Sequence, residues 1–218
     1  MASGGIDRRV VPDRAIAVVA ACQARVPCRL GGGAALGGVY LRHRLSADLD
    51  LVCPTLESVR SLTAQLPAVA AGTGTGLAVV QDAGAFVRAR LEGVPGIVRL
   101  DLAFDPGGEL EAPSAPVEGL VVQSLPDLRA SKVTCLLSRS EPRDLVDLLF
   151  LERAGYPPER DLAAALRKDA GIDPGVLAWL LREFPLRPLP TMLQPLDGDE
   201  LRRFRDSLRD RLRALAVP

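Results

Sequence analysis

The sequence predicts an α/β domain followed by a helical one, and three observations carry that expectation. Short apolar runs alternate with glycine- and proline-rich breaks up to residue 123. From Ser124 onward the apolar period becomes helical and stays so. The composition, 48% hydrophobic and 25% charged over 218 residues, is that of a packed globule. The expected division is therefore an α/β core over 1–123 and a helical domain over 124–218.

The elements follow in order. Pro12-Asp13 opens a helix to about residue 26, apolar at Ile16, Val19 and Cys22. Gly31-Gly32-Gly33 breaks the pattern, and a short helix follows over 34–41. Residues 49–53 form an apolar strand ended by Pro54. Thr55 caps a helix to Leu66, and 70–76 reads as a flexible loop of small residues. Strands over 77–81, 86–92 and 97–104 are separated by glycine turns, so a meander is expected. In the last of them Val98, Leu100 and Leu102 share one face, Arg99 and Asp101 the other. A further strand is possible over 117–123. Helices are expected over 125–139, 142–153, 158–169, 174–184 and 198–214, with Asp173-Pro174 as a cap and first helical residue.

Charge and cysteine usage narrow the function classes. The 27 Lys+Arg balance 27 Asp+Glu, which excludes a uniformly basic nucleic-acid coat but not a local basic groove. The four cysteines form no C-x-x-C pair and there is one histidine, which argues against a zinc site. They read as reduced, buried small residues. The opening Met1-Ala2-Ser3-Gly4-Gly5 has no apolar leader region and no run is long enough for a membrane span, so a cytoplasmic location is expected. Only Lys132 and Lys168 are lysine, leaving 27 − 2 = 25 arginines. A lysine in such a background suits a site that needs a compact point charge. We assign that role to Lys132 and place Lys168 in solvent.

The densest constellation runs from Gly31-Gly32-Gly33-Ala34-Ala35-Leu36 to His43-Arg44-Leu45-Ser46-Ala47-Asp48-Leu49-Asp50. On a strand, Asp48 and Asp50 point to one side and repel unless a cation lies between them. Mg²⁺ or Mn²⁺ suits such oxygen donors, and Asp101 offers a third carboxylate, enough for two metals. A bare D-x-D is more often a solvated strand start. The glycines upstream shift the balance, because they let backbone N–H groups approach phosphate closely.

These residues resemble the signature of the AbiEii/AbiGii toxin family, nucleotidyltransferase-like proteins of type IV toxin–antitoxin and phage-defence systems. The Gly-Gly, Leu36, Tyr40, His43-Arg44, Ser46 and Asp48-x-Asp50 elements match its spacing. Val98-Arg99-Leu100-Asp101-Leu102 resembles its third-carboxylate strand. Leu128-Arg129-Ala130-Ser131-Lys132, Arg139 and Pro142-Arg143-Asp144-Leu145-Val146-Asp147-Leu148 continue the likeness. Ala34 departs from it, standing where members usually carry Thr or Ser. The resemblance implies an α/β nucleotidyltransferase fold, DNA polymerase β-like, with a helical C-terminal domain. It also implies transfer of a nucleotide from an NTP, tRNA as the acceptor and an antitoxin partner.

On that reading Asp48, Asp50 and Asp101 are catalytic and hold the metal. Lys132 and Asp144 join the catalytic set, and Gly32, Gly33, Arg44, Ser46, Lys132 and Asp147 face the nucleotide. Lys132 and Arg139 lie seven apart on one helix face, and Lys suits a triphosphate. The resemblance implies that Asp144 or Asp147 belongs to the site; structurally, Asp144 could equally pair with Arg143. Ser46 could also be a turn hydroxyl bonding its own backbone. His43 reads as structural. Arg202, Arg205 and Arg209 recur on one face of the last helix and, with Arg139, Arg143 and Arg153, could line an RNA cleft; ion pairs along the helix are the alternative. Two other functions remain open: nucleotide transfer to a small molecule or protein, and a non-catalytic NTP-binding module.

Overall fold

The computed structural model describes residues 5–113 and 115–216; residues 1–4, on which the expectation about a leader falls, lie outside them. Two compact units divide the chain. One runs to Gly108 and resumes over Ala112–Ser124; the other holds Glu109–Glu111 and the residues from Leu125.

The first unit is built on a five-stranded mixed sheet in the order β1-β2-β5-β4-β3. Its strands are β1 (Arg29–Gly31), β2 (Asp48–Cys53), β3 (Gly76–Asp82), β4 (Phe86–Glu92) and β5 (Arg99–Phe104). β2 and β5 pair in parallel, and β3, β4 and β5 form the expected antiparallel meander. Along β2, Leu49, Leu51 and Cys53 are fully buried, which leaves Asp48, Asp50 and Val52 on the opposite face. Helix α1 (Asp13–Gln23) packs on α3 (Leu56–Thr73), and α3 packs on the sheet. Between β1 and β2, a short α2 (Gly32–Ala35) runs into a π-helical stretch, Leu36–Leu41.

Several boundaries differ from expectation for identifiable reasons. Thr55 caps α3, accepting from the Ser58 N–H, but the helix continues through Pro67 to Thr73. A proline inside a helix loses one hydrogen bond. Here Val69 extends the buried stripe of Val59, Leu62 and Leu66 past it. Gly74, at φ +62°, then closes the helix by donating its N–H to the Ala70 carbonyl, so 70–73 is helix rather than loop. α1 ends at Gln23, short of residue 26, and its buried face is Ala15, Val18, Val19 and Cys22. Val98 precedes β5 and is 54% exposed, off the core face. Residues 117–123 make only isolated bridges. β1 has no periodic signal at three residues and was not expected.

The second unit contains α4 (Leu125–Ser138), α5 (Pro142–Arg153), a 3₁₀ turn at Pro158–Asp161, α6 (Leu162–Lys168), α7 (Pro174–Leu181) and α8 (Gly198–Ala216). Asp173 caps α7 by accepting from the Val176 N–H at 2.9 Å. Leu201, Phe204, Leu208 and Leu212 form the buried stripe of α8, as their spacing predicts. No helix among the described residues is long and apolar enough to cross a membrane. All four cysteines are free thiols, and burial pushes Cys22 up to about 12 and Cys53 to about 11.

Lys168 is not a solvated residue. Its side chain is 4% exposed and its Nζ lies 2.8 Å from Oδ1 of Asp127, which is 2% exposed. Asp127 also accepts the Leu110 N–H at 3.0 Å. The partner is distant in sequence, so no local pattern announces it. Removing one member of a buried ion pair leaves the other uncompensated, at about 3–5 kcal/mol. Lys168→Ala should therefore lower the urea unfolding midpoint strongly. A midpoint equal to that of the wild type would show the pair to be energetically idle.

Candidate active site

The carboxylates of β2 and β5 meet because the two strands pair in parallel and in register: Asp48 lies beside Arg99, and Asp50 beside Asp101. Each of the two buried carboxylates takes a whole guanidinium. Arg99 donates Nε and Nη2 to Asp48 at 2.6 and 2.7 Å. Arg88, opposite Asp101 on β4, donates the same two groups to it at 2.9 and 2.7 Å. Such fork-to-fork pairing meets the desolvation cost of carboxylates buried on a sheet. The hydrogen bond to Asp101 raises the Arg88 pKa.

The glycine turn closes over this face. Gly32 adopts φ +57°, and a Cβ there would stand 1.9 Å from Oδ2 of Asp50. Only glycine fits both conditions. A Cβ on Gly33 would stand 2.8 Å from Nη2 of Arg44 and 3.1 Å from Oγ of Ser46. Arg44 and Ser46 are both buried. The Ser46 hydroxyl donates to the Asp48 carbonyl at 3.2 Å, the backbone-bonding role left open above. His43 and Ala34 are completely buried. The first unit thus brings together Gly32, Gly33, Arg44, Ser46, Asp48, Asp50 and Asp101.

Three carboxylates from neighbouring strands are the oxygen donors that a hard divalent cation takes, but two of them, Asp48 and Asp101, are already paired with guanidinium groups. Among the described residues no three His, Cys, Asp or Glu are arranged to hold a metal. Arg88 and Arg99 donate to the oxygens of Asp101 and Asp48 that a cation would use. The sequence reading placed Arg99 on the polar face without giving it a partner, and it missed Arg88. The alternation Arg99-x-Asp101 was the available signal.

The remaining expected site residues form a cluster of their own in the second unit. Lys132 on α4 is 3% exposed, with Nζ 2.9 Å from Oδ1 of Asp144 and 2.7 Å from Oδ2 of Asp147 on α5. Arg139 donates Nε and Nη2 to Asp144 at 2.8 and 3.0 Å. The Asp144 partners are therefore Lys132 and Arg139, while Arg143 pairs with Glu141. Burial pushes the Asp144 pKa upward, but the charges of Lys132 and Arg139 outweigh it and hold the carboxyl below its usual value.

The arginine-rich face of α8 is laced with ion pairs instead of standing open. Arg202 pairs with Asp199, Arg205 with Asp206, and Arg209 with both Asp206 and Asp210. Arg153 pairs with Glu200. Acidic residues one to three positions away neutralise much of the charge that the helical spacing had suggested for a cleft wall.

Comparisons with known proteins bear on this arrangement. The sequence model of the family described as "Nucleotidyl transferase AbiEii toxin, Type IV TA system" matches residues 17–216. No curated protein is detectably similar in sequence. Among solved structures, JHP933 from Helicobacter pylori superposes with TM-score 0.59 at 21% identity, over 94% of this chain and 91% of that one. MenT4, a nucleotidyltransferase toxin from Mycobacterium tuberculosis H37Rv, superposes with TM-score 0.50 at 17% identity, over 94% and 88%. The fold is accordingly the α/β nucleotidyltransferase fold, DNA polymerase β-like, with a helical C-terminal part.

The lowered pKa of Asp144 has a signed consequence. The native carboxyl binds its proton less readily than the unfolded one, whose ordinary value is 3.8. Its contribution is complete above that value and is lost as pH falls through the lower folded value. Wild type and Asp144→Asn should differ in urea midpoint at neutral pH and converge in acid below 3.8. A gap that stays constant across the acid range would contradict the pairing.

Proposed function

We propose that this chain, which belongs to the nucleotidyl transferase AbiEii toxin family of type IV toxin–antitoxin systems, moves a nucleotide from an NTP to a hydroxyl of an RNA acceptor, with tRNA as that acceptor. The observation that carries the reading is the in-register set Asp48, Asp50 and Asp101 beneath the Gly32-Gly33 turn. The acceptor oxygen forms a bond to the α-phosphorus while the bond from that phosphorus to the bridging α–β oxygen breaks; pyrophosphate leaves with the electron pair, and Asp101 would accept the hydroxyl proton. Asp48, Asp50 and Asp101 would hold Mg²⁺ or Mn²⁺. When bound, the metal supplies positive charge for the leaving pyrophosphate and activates the attacking hydroxyl.

The chain's own residues do the rest. Gly32 and Gly33 admit phosphate oxygens close to backbone N–H groups. Arg44 and Ser46 add donors beside them. Lys132, Asp144 and Asp147 hold one another within the second unit, where the lysine side chain is 3% exposed. A cognate antitoxin is the expected protein partner, as the type IV family implies.

Two measurements test this. Asp48→Ala should abolish metal-dependent incorporation of labelled NTP into tRNA while leaving the circular dichroism spectrum unchanged; wild-type incorporation would sink the assignment. Label found instead in a small molecule or protein would redirect the acceptor, and NTP binding without incorporation by the wild type would mark a non-catalytic module. Arg99→Gln should free the Asp48 carboxylate and tighten Mn²⁺ binding about tenfold, on the scale of one hydrogen bond to a charged group. Weaker or unchanged Mn²⁺ binding, read by electron paramagnetic resonance, would remove Arg99 as a competitor.

A further inference from the structure

The second unit carries an aromatic and cationic cavity that the catalytic reading does not use. It lies between α7 and α8, has a volume of about 420 Å³, and is lined by Gly175, Ala178, Trp179, Arg182, Arg209 and Arg213. Three of its six lining residues are arginines and none is acidic. Trp179 is 65% exposed, whereas Leu177 and Leu181 on the same helix are fully buried. The core-facing side of α7 is thus already filled, and the large indole faces outward with no packing role to explain it. On α8, Arg209 is fixed by Asp206 at 3.3 Å and Asp210 at 3.0 Å. Arg213 is 74% exposed and only 3.8 Å from Asp210, so its guanidinium is loosely held.

We propose that this cavity seats one unpaired nucleotide of the RNA acceptor, its base stacked on Trp179 and its flanking phosphates held by Arg182, Arg209 and Arg213. The proposal rests on the RNA-acceptor reading above and adds the surface that grips the RNA. Single-stranded RNA is recognised by stacking splayed bases on aromatic rings or guanidinium planes and by neutralising phosphates with arginine. The cavity falls within the roughly 300–1,000 Å³ typical of small-molecule sites, enough for a single base and ribose. An acidic peptide would need the arginines but not an exposed indole between them. A flat ring beside three guanidinium groups is what favours a nucleotide, whose phosphates would compete with Asp206 and Asp210 for Arg209 and Arg213. It also places the RNA contacts on α7 and α8 together, where the spacing of arginines along α8 alone had suggested a wall.

Trp179 is the only tryptophan in the chain, so its fluorescence reports this cavity alone. Unstructured RNA oligonucleotides and tRNA should quench it, and quenching should weaken steeply with salt. Trp179→Ala should weaken RNA binding about tenfold, the usual yield of one base–aromatic stack, while Trp179→Phe keeps most of it. Arg213→Glu should weaken binding as well, and NTP binding should be unchanged in all three variants. Both side chains are exposed, so neither substitution opens a cavity in the core, and matched unfolding midpoints check this. If tRNA is labelled and bound by Trp179→Ala as by the wild type, the seat is overturned and the RNA-acceptor reading stands. If the wild type neither binds nor labels RNA, that reading falls and the seat with it. Quenching by purified antitoxin but not by RNA would assign the cavity to a protein partner and overturn the proposal.

Discussion

Parallel pairing of β2 with β5 sets the carboxylate face, because one register serves both the core and the line of aspartates. With Asp50 beside Asp101, the intervening Leu49, Leu51, Leu100 and Leu102 all turn inward and are fully buried. A slip of one residue in either strand would exchange leucine for aspartate in the core. The hydrophobic effect therefore holds the carboxylates in line without any direct contact between them. β4 completes the arrangement by placing Arg88 opposite Asp101. The glycine turn fits above it only because Gly32 has no side chain to meet Asp50. Core burial and charge balance on this face are set by one strand pairing.

The second unit relies on buried charge to an unusual degree. Lys132 with Asp144 and Asp147, Lys168 with Asp127, and Arg129 with Asp161 all lie largely out of solvent. Buried ion pairs add little net stability over well-packed apolar residues, but losing one partner is severe. Their effect is to make α4 accept particular neighbours: α5 through Lys132, and α6 through Lys168. Helices that could otherwise slide along apolar stripes are held by charge geometry. That matters for Asp144, which meets two cations from α4 and its following turn and so keeps its proton off well into acid.

Much of this was legible in the sequence where the signal was local. The alternation around Asp48-x-Asp50, the glycine triplet, the Thr55 and Asp173 caps and the span of α5 all follow from spacing over a few residues. Asp48, Asp50 and Asp101 stand out as alternating strand carboxylates, whereas the mutual pairing of Lys132, Arg139, Asp144 and Asp147 has no local signal. What could not be read were the long-range partners. Lys168 looked like an ordinary basic residue near a helix end, yet Asp127 and burial decide its state. Arg88 and Arg99 sit at unremarkable strand positions, and only the sheet order brings them to the carboxylates. α3 outran Pro67 because tertiary packing of Val69 overrides the local break. The α8 arginines went the other way: their periodicity was real, but their acidic neighbours absorb much of it.

The burial of Lys132 and Lys168 also governs how this molecule meets amine chemistry. They are the only lysine side chains in the sequence, and each is less than a twentieth exposed. Acetylation, methylation and ubiquitin attachment act on lysine ammonium groups. On the folded chain those reactions find no accessible side-chain amine, whereas unfolding uncovers both at once. Conjugation at lysine would then be a mark carried by molecules that had lost their fold, so any degradation cued by that mark would clear unfolded copies and spare the intact protein.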